Sequence, residues 1–111
     1  MTKPLGPYSP VVRAGEWVVT SGQIKPDAGD IPAQTTAAIS QVRELLESQG
    51  ASLADVVKTT VFLVDMGDFD AMNEAYVAAF GDHRPARSTI GVAALPAGAR
   101  VEVEAWAHLG R

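Results

Sequence analysis

Cysteine is absent from the 111 residues, which excludes a disulfide framework, a thiol nucleophile and any metal site built on thiolates. Histidine is nearly absent. His83 and His108 stand at no metal-ligand spacing, so no structural metal is expected, and each reads as a surface or interface residue. Positive charge is scarce and scattered: nine Lys and Arg oppose thirteen Asp and Glu, leaving a formal charge of −4 with no basic cluster. Binding driven by phosphate neutralisation is therefore disfavoured, and nucleic acid is not an expected partner. No apolar run reaches membrane-spanning length, and Met1-Thr2-Lys3-Pro4 contains no apolar h-region. The expectation is a cytoplasmic chain without membrane attachment.

Apolar residues make up 47% of the chain, and the length suits one domain, residues 1–111. Folding at this size hides roughly two-thirds of the unfolded surface, enough for one modest core. Val11 to Arg13, the Ala14-Gly15 turn and Trp17 to Ser21 read as a hairpin. Asp30 reads as the N-cap of a helix from about Ile31 to Gln49, with Ala38, Ile39, Val42, Leu45 and Leu46 at helical spacing and Gly50 as the stop. Ser52 and Asp55 have the spacing of a capping box. A second helix is expected to begin at Asp68 as its cap, to bury Phe69, Met72, Tyr76 and Phe80, and to end at Gly81.

Between the helices, Val56 to Val64 reads as a strand that is apolar on both faces, interrupted by Lys58, Thr59 and Thr60. One layer of helices covers one sheet face. In so short a chain the other face calls for a second subunit. Lys58 is costly to bury unpaired and is expected to reach solvent or a carboxylate across the sheet.

The stretch richest in candidate chemistry is Pro85-Ala86-Arg87-Ser88-Thr89, with Val101-Glu102-Val103-Glu104-Ala105 following it. Alternation from Thr89 to Ala94 and from Val101 to Ala107 predicts two strands, with turn residues Leu95-Pro96-Ala97-Gly98 between them. The two-residue period puts Glu102, Glu104, Trp106 and His108 in one row.

Six blocks resemble, in order, those of the reactive intermediate deaminase family, the RidA/YjgF group: Gly6-Pro7-Tyr8-Ser9, Thr20-Ser21-Gly22-Gln23-Ile24, Val57 to Leu63, Asn73-Glu74-Ala75-Tyr76, Pro85-Ala86-Arg87-Ser88 and Val101 to Ala105. The resemblance implies an α+β fold: a single-domain mixed β-sheet with two helices packed on one face, chorismate-mutase-like, assembled as a homotrimer with intersubunit clefts. In the deaminase branch those clefts hydrolyse enamines and imines, such as 2-iminobutanoate and 2-iminopropanoate released by pyridoxal-phosphate enzymes, without a cofactor. By motif position Arg87 would hold the substrate carboxylate and Glu102 would position the attacking water, with Tyr8, Ser21, Gly22, Asn73 and Thr89 lining the cleft. There are departures from the family pattern. Thr89 stands where some members carry cysteine, Gly91 where many carry glutamate, Ala94 and Ala97 where basic residues are common, and the loop from Lys25 to Asp30 is short.

The chemistry of these residue types agrees with that role. A guanidinium fork grips a planar carboxylate through two parallel charge-assisted bonds, and a nearby glutamate can take a proton from water and return it to the departing amine. Two other readings stay open: a non-catalytic trimer that binds small carboxylates as sensor or carrier, and a translation-inhibiting endoribonuclease.

Overall fold

In the computed structural model, which describes residues 4–110, the β-branched residues flanking Gly15 form a hairpin of β1 (Val11–Ala14) and β2 (Trp17–Thr20). Gly15 takes φ 61°, an angle that costs a residue without Cβ little. Helix α1 (Ile31–Ser48) starts where the Asp30 carboxylate accepts the Ala33 N–H at 3.0 Å. It ends at Gln49, with Gly50 just beyond at φ 81°. The Asp55 carboxylate then accepts from the Ser52 backbone N–H at 2.9 Å and from its hydroxyl at 3.2 Å, which closes a short 3-10 turn before β3 (Val56–Leu63).

Helix α2 (Phe69–Phe80) buries Met72, Ala75, Tyr76 and Phe80 and is followed by β4 (Ala86–Gly91) and β5 (Val101–His108). The sheet order is β1-β2-β5-β3-β4. Strand β3 pairs antiparallel with β5 and parallel with β4, so the sheet is mixed, and α2 provides the crossover that a parallel pair requires. Strand β4 stops at Gly91, short of the expected Ala94. The Val92 N–H donates to Leu63 O at 2.8 Å, and beyond that bond β3 has ended and offers no further backbone to pair.

Both helices lie over the sheet face formed by Val101, Val103, Ala105 and Ala107, all fully buried with Ile39, Val42 and Leu46 in one core. Among the described residues no layer covers the opposite face. It carries Phe62, Glu102, Glu104 and Trp106 half-buried, with Trp17 at 43% and Ile90 at 44% exposure.

One local expectation is corrected and two are made specific. Asp68 precedes α2, but its carboxylate makes no cap bond; it pairs with Arg100 at 3.2 Å, and Asp65 caps the preceding 3-10 turn by accepting the Gly67 N–H. Lys58 keeps access to solvent, one of the two outcomes expected, and donates to Ser88 Oγ at 2.9 Å across the parallel pair. His83 is half-buried, with Nε2 2.7 Å from Val56 O, so it ties the loop before β4 to the start of β3. Among the described residues no helix is long and apolar enough to cross a membrane.

Candidate active site

Glu102 projects from the uncovered face of β5. A backbone bridge brings the chain after β2 beside it: Gln23 N–H donates to Val103 O at 2.8 Å, and Val103 N–H to Gln23 O at 3.1 Å. This leaves Gly22 directly against the Glu102 carboxylate. A Cβ on Gly22 would lie 2.6 Å from Glu102 Cδ and 2.9 Å from its Cγ, so only glycine fits with the glutamate in this position. Burial pushes the Glu102 carboxyl above the usual glutamate range, and the like charge of Glu104 two residues along pushes it further. An acid of this kind releases and recovers a proton closer to neutral pH than an exposed glutamate.

A cavity of about 440 Å³ adjoins this carboxylate, with Tyr8, Gly22, Ile24, Lys25 and Ala97 among its walls. Tyr8 reaches it on the N-terminal arm, and Ser21 anchors that arm. The Ser21 hydroxyl donates to Ser9 O at 2.6 Å, and its backbone N–H donates to Pro10 O at 2.8 Å. The hydroxyl proton of Ser21 is thus committed to the backbone. The Tyr8 hydroxyl accepts the Leu5 N–H at 3.2 Å, which leaves its own proton available to a neighbour.

Arg87 is held on β4 by a different set of residues. Its guanidinium carbon lies 4.8 Å from the centre of the Tyr76 ring and 5.6 Å from that of Phe69, and Nη1 sits 3.9 Å from Met72 Sδ. No carboxylate pairs with it among the described residues. Thr89, two residues along β4, shares its face, and Asn73 on α2 keeps its side-chain oxygen buried without a hydrogen-bond partner.

These two groups of residues do not meet within one chain. Arg87 pairs with Thr59 of β3, and Glu102 pairs with Phe62. Those β3 positions are three apart with no bulge between them, so they point to opposite faces of the sheet. Tyr8, Gly22 and Glu102 therefore gather at one cavity, with Ser21 behind them, while Arg87 and Thr89 lie on the other side of β3 and β4. An ion pair between Arg87 and Glu102 of the same chain is excluded by this register. Sequence reasoning missed Ile24, which lines the cavity, and treated Phe69 and Tyr76 as core alone. The helical stripe marks them as buried but carries no sign that β4 lays an arginine over them.

A family model described as endoribonuclease L-PSP matches residues 1–109. A RutC family protein of Pyrococcus abyssi is 43% identical over 96% of this chain and 89% of its own length. Proteins named 2-iminobutanoate/2-iminopropanoate deaminase are 40% identical in Escherichia coli, over 93% of this chain and 88% of theirs, and 39% identical in Homo sapiens, over 96% and 82%. The crystal structure of the E. coli YjgF gene product superposes with a TM-score of 0.87 at 39% identity, covering 95% of this chain and 90% of that one. RidA from an Antarctic Psychrobacter gives 0.90 at 37% identity, covering 96% and 91%. With its fold and nearly its whole length accounted for by these matches, the chain belongs to the endoribonuclease L-PSP family, the RidA/YjgF group.

Proposed function

We propose that this chain is an enamine/imine deaminase that hydrolyses 2-imino acids such as 2-iminopropanoate and 2-iminobutanoate to 2-keto acids and ammonia. It would act as a homotrimer whose clefts join Arg87 of one subunit to Glu102 of the next. The observation that carries this reading is the presence on one sheet, on opposite faces, of a half-buried guanidinium with no carboxylate partner among the described residues and of a carboxyl at a cavity whose pKa burial raises. A second copy is what can bring the two together, and the uncovered face offers it the apolar side chains Trp17, Phe62, Ile90 and Trp106 among polar ones. The deaminase names of relatives near 40% identity point to the same activity.

In this mechanism the Arg87 fork grips the substrate carboxylate, which fixes the plane of the adjacent C=N bond. Water held by Glu102 adds to the carbon of the protonated imine, one water proton passing to the carboxylate and the C=N electron pair to nitrogen, which gives the carbinolamine. Glu102 returns that proton to nitrogen, the C–N bond breaks, and the departing ammonia takes the hydroxyl proton as the ketone forms, leaving as ammonium. Imines already react with water, so position and a proton shuttle are sufficient. Tyr8, Gly22, Asn73 and Thr89 would complete the walls of the cleft.

The family model's name raises RNA cleavage as another activity, but the net charge of −4 opposes polyanion binding. Both histidines are also engaged structurally, His83 with Val56 O and His108 with the Trp17 ring and the Gly110 N–H. The test is ammonia or keto-acid formation from 2-iminopropanoate generated in situ by an amino-acid dehydratase. Wild type should accelerate it, with Arg87→Ala and Glu102→Gln falling to the uncatalysed rate. A folded wild type that gives no acceleration refutes the proposal for this substrate.

A further inference from the structure

Arginine side chains near a protein surface ordinarily turn toward a carboxylate, and a pre-paired Arg87 would have to break that pair before binding substrate. Among the described residues it has none, and an aromatic cluster holds it instead. Tyr76, only 4% exposed, lies beneath the guanidinium, and its hydroxyl is 2.7 Å from Thr59 Oγ1. Thr59 is fully buried and is the β3 residue in register with Arg87 itself. The strand that carries the arginine is therefore paired with the strand that pins the ring under it. Phe69 supplies a second ring, and Met72 Sδ, a weak acceptor, lies near one terminal nitrogen.

We infer that Phe69, Met72 and Tyr76 form a cradle of positioning residues that holds Arg87 away from the carboxylates of its own chain and orients it for the planar carboxylate of a ligand. The selectivity of the site for carboxylate-bearing ligands is set here. This rests on the reading of Arg87 as the carboxylate anchor. An aromatic ring attracts a guanidinium through its π face, which occupies the flat side of the cation and leaves the in-plane N–H donors free for a fork-to-fork bond. Arginine is also weakly hydrated, so holding it against rings costs less than it would for lysine. Leucine in place of either ring would fill similar space but remove the attraction.

The experiment is a protein-observed NMR titration of the full chain with pyruvate and with methyl pyruvate, which lacks the carboxylate. It compares wild type, Tyr76→Phe, Tyr76→Leu and Phe69→Leu, each checked for wild-type spectra away from the site. Tyr76→Leu and Phe69→Leu should weaken pyruvate by about fivefold to thirtyfold while leaving methyl pyruvate unchanged, and Tyr76→Phe should restore pyruvate binding to within about threefold of wild type. Wild-type pyruvate affinity in the leucine variants, or equal losses for both ligands, would overturn the inference, the second outcome marking a purely structural role. If Tyr76→Leu does not fold, Phe69→Leu at its half-buried position decides by the same criteria. A wild type that binds pyruvate but does not hydrolyse imines removes the deaminase reading and leaves the cradle standing. A wild type that shows no preference for pyruvate over its ester removes the cradle.

Discussion

Replacing Gly22 with alanine isolates the position of one carboxylate. The backbone at Gly22 does not lie in the left-handed region, so alanine adds a methyl group without backbone strain. That methyl would sit 2.6 Å from Glu102 Cδ and 2.9 Å from Cγ, where ordinary carbon contacts are about 3.5–4.0 Å. Because Cγ as well as the carboxylate is crowded, turning the far end of the side chain is not enough. Glu102 must change its first side-chain torsion, on a face where it is in register with Phe62 and in the same row as Glu104. The carboxylate is thereby displaced by about 1 Å or more, and a misplacement of that size in a catalytic group costs about 10²-fold in rate. Gly22→Ala should therefore lower kcat for 2-iminopropanoate by about 10²-fold while pyruvate binding, assigned by the proposal to Arg87, changes by less than about threefold. Steady-state kinetics coupled to lactate dehydrogenase measures the first and an NMR titration with pyruvate the second, with thermal unfolding as a control. A folded Gly22→Ala enzyme with kcat within about twofold of wild type would refute the assigned role of Glu102.

Burial raises the Glu102 pKa, with Glu104 adding to the shift, so the acid limb of kcat/KM should fall at a higher pH than an ordinary glutamate would give, and Glu104→Gln should move that limb to lower pH. The same shift has a stability consequence: a carboxyl whose folded pKa lies above its unfolded value favours folding when protonated and loses that contribution as pH rises through the folded pKa. Glu102→Gln should thus unfold at a higher temperature than wild type at pH 7 though inactive, and the difference should shrink in acid, as followed by calorimetry across pH. Ser21→Ala removes the bond to Ser9 O that anchors the arm bearing Tyr8 and should raise KM more than it lowers kcat, seen in the same coupled assay. Asp30→Ala removes the α1 cap and should cost about 1 kcal/mol in urea unfolding with turnover unchanged.

Much of the fold was legible because its signals are local. Asp30, Gly50 and Gly81 mark helix ends through capping and backbone freedom, and the alternation from Val101 onward is a strand with one face in the core. What was illegible depends on residues distant in sequence. Asp68 looks like a cap until Arg100, 32 residues later in the chain and just before β5, takes its carboxylate. Val92 and Ala94 continue the alternation of Thr89 and Gly91, but a strand needs a partner, and β3 ends at Leu63. The candidate site shows the same division. Motif positions singled out Arg87 and Glu102, while their placement on opposite faces follows from the register of β4 and β5 against the β3 strand between them, which sets Arg87 beside Thr59 and Glu102 beside Phe62. Tyr76 and Phe69 were recognisable as buried, yet their contact with Arg87 requires the parallel register of β3 and β4.

The division of the site between two copies is tested most directly by mixing. Arg87→Ala and Glu102→Gln chains, each expected to be inactive alone, are unfolded together, refolded at equal ratio and assayed on 2-iminopropanoate. If each cleft takes Arg87 from one subunit and Glu102 from its neighbour, random reassortment restores about a quarter of wild-type activity, since one cleft in four then receives both intact residues. Mixed oligomers, verified by mass spectrometry, that remain as inactive as either parent would contradict the account.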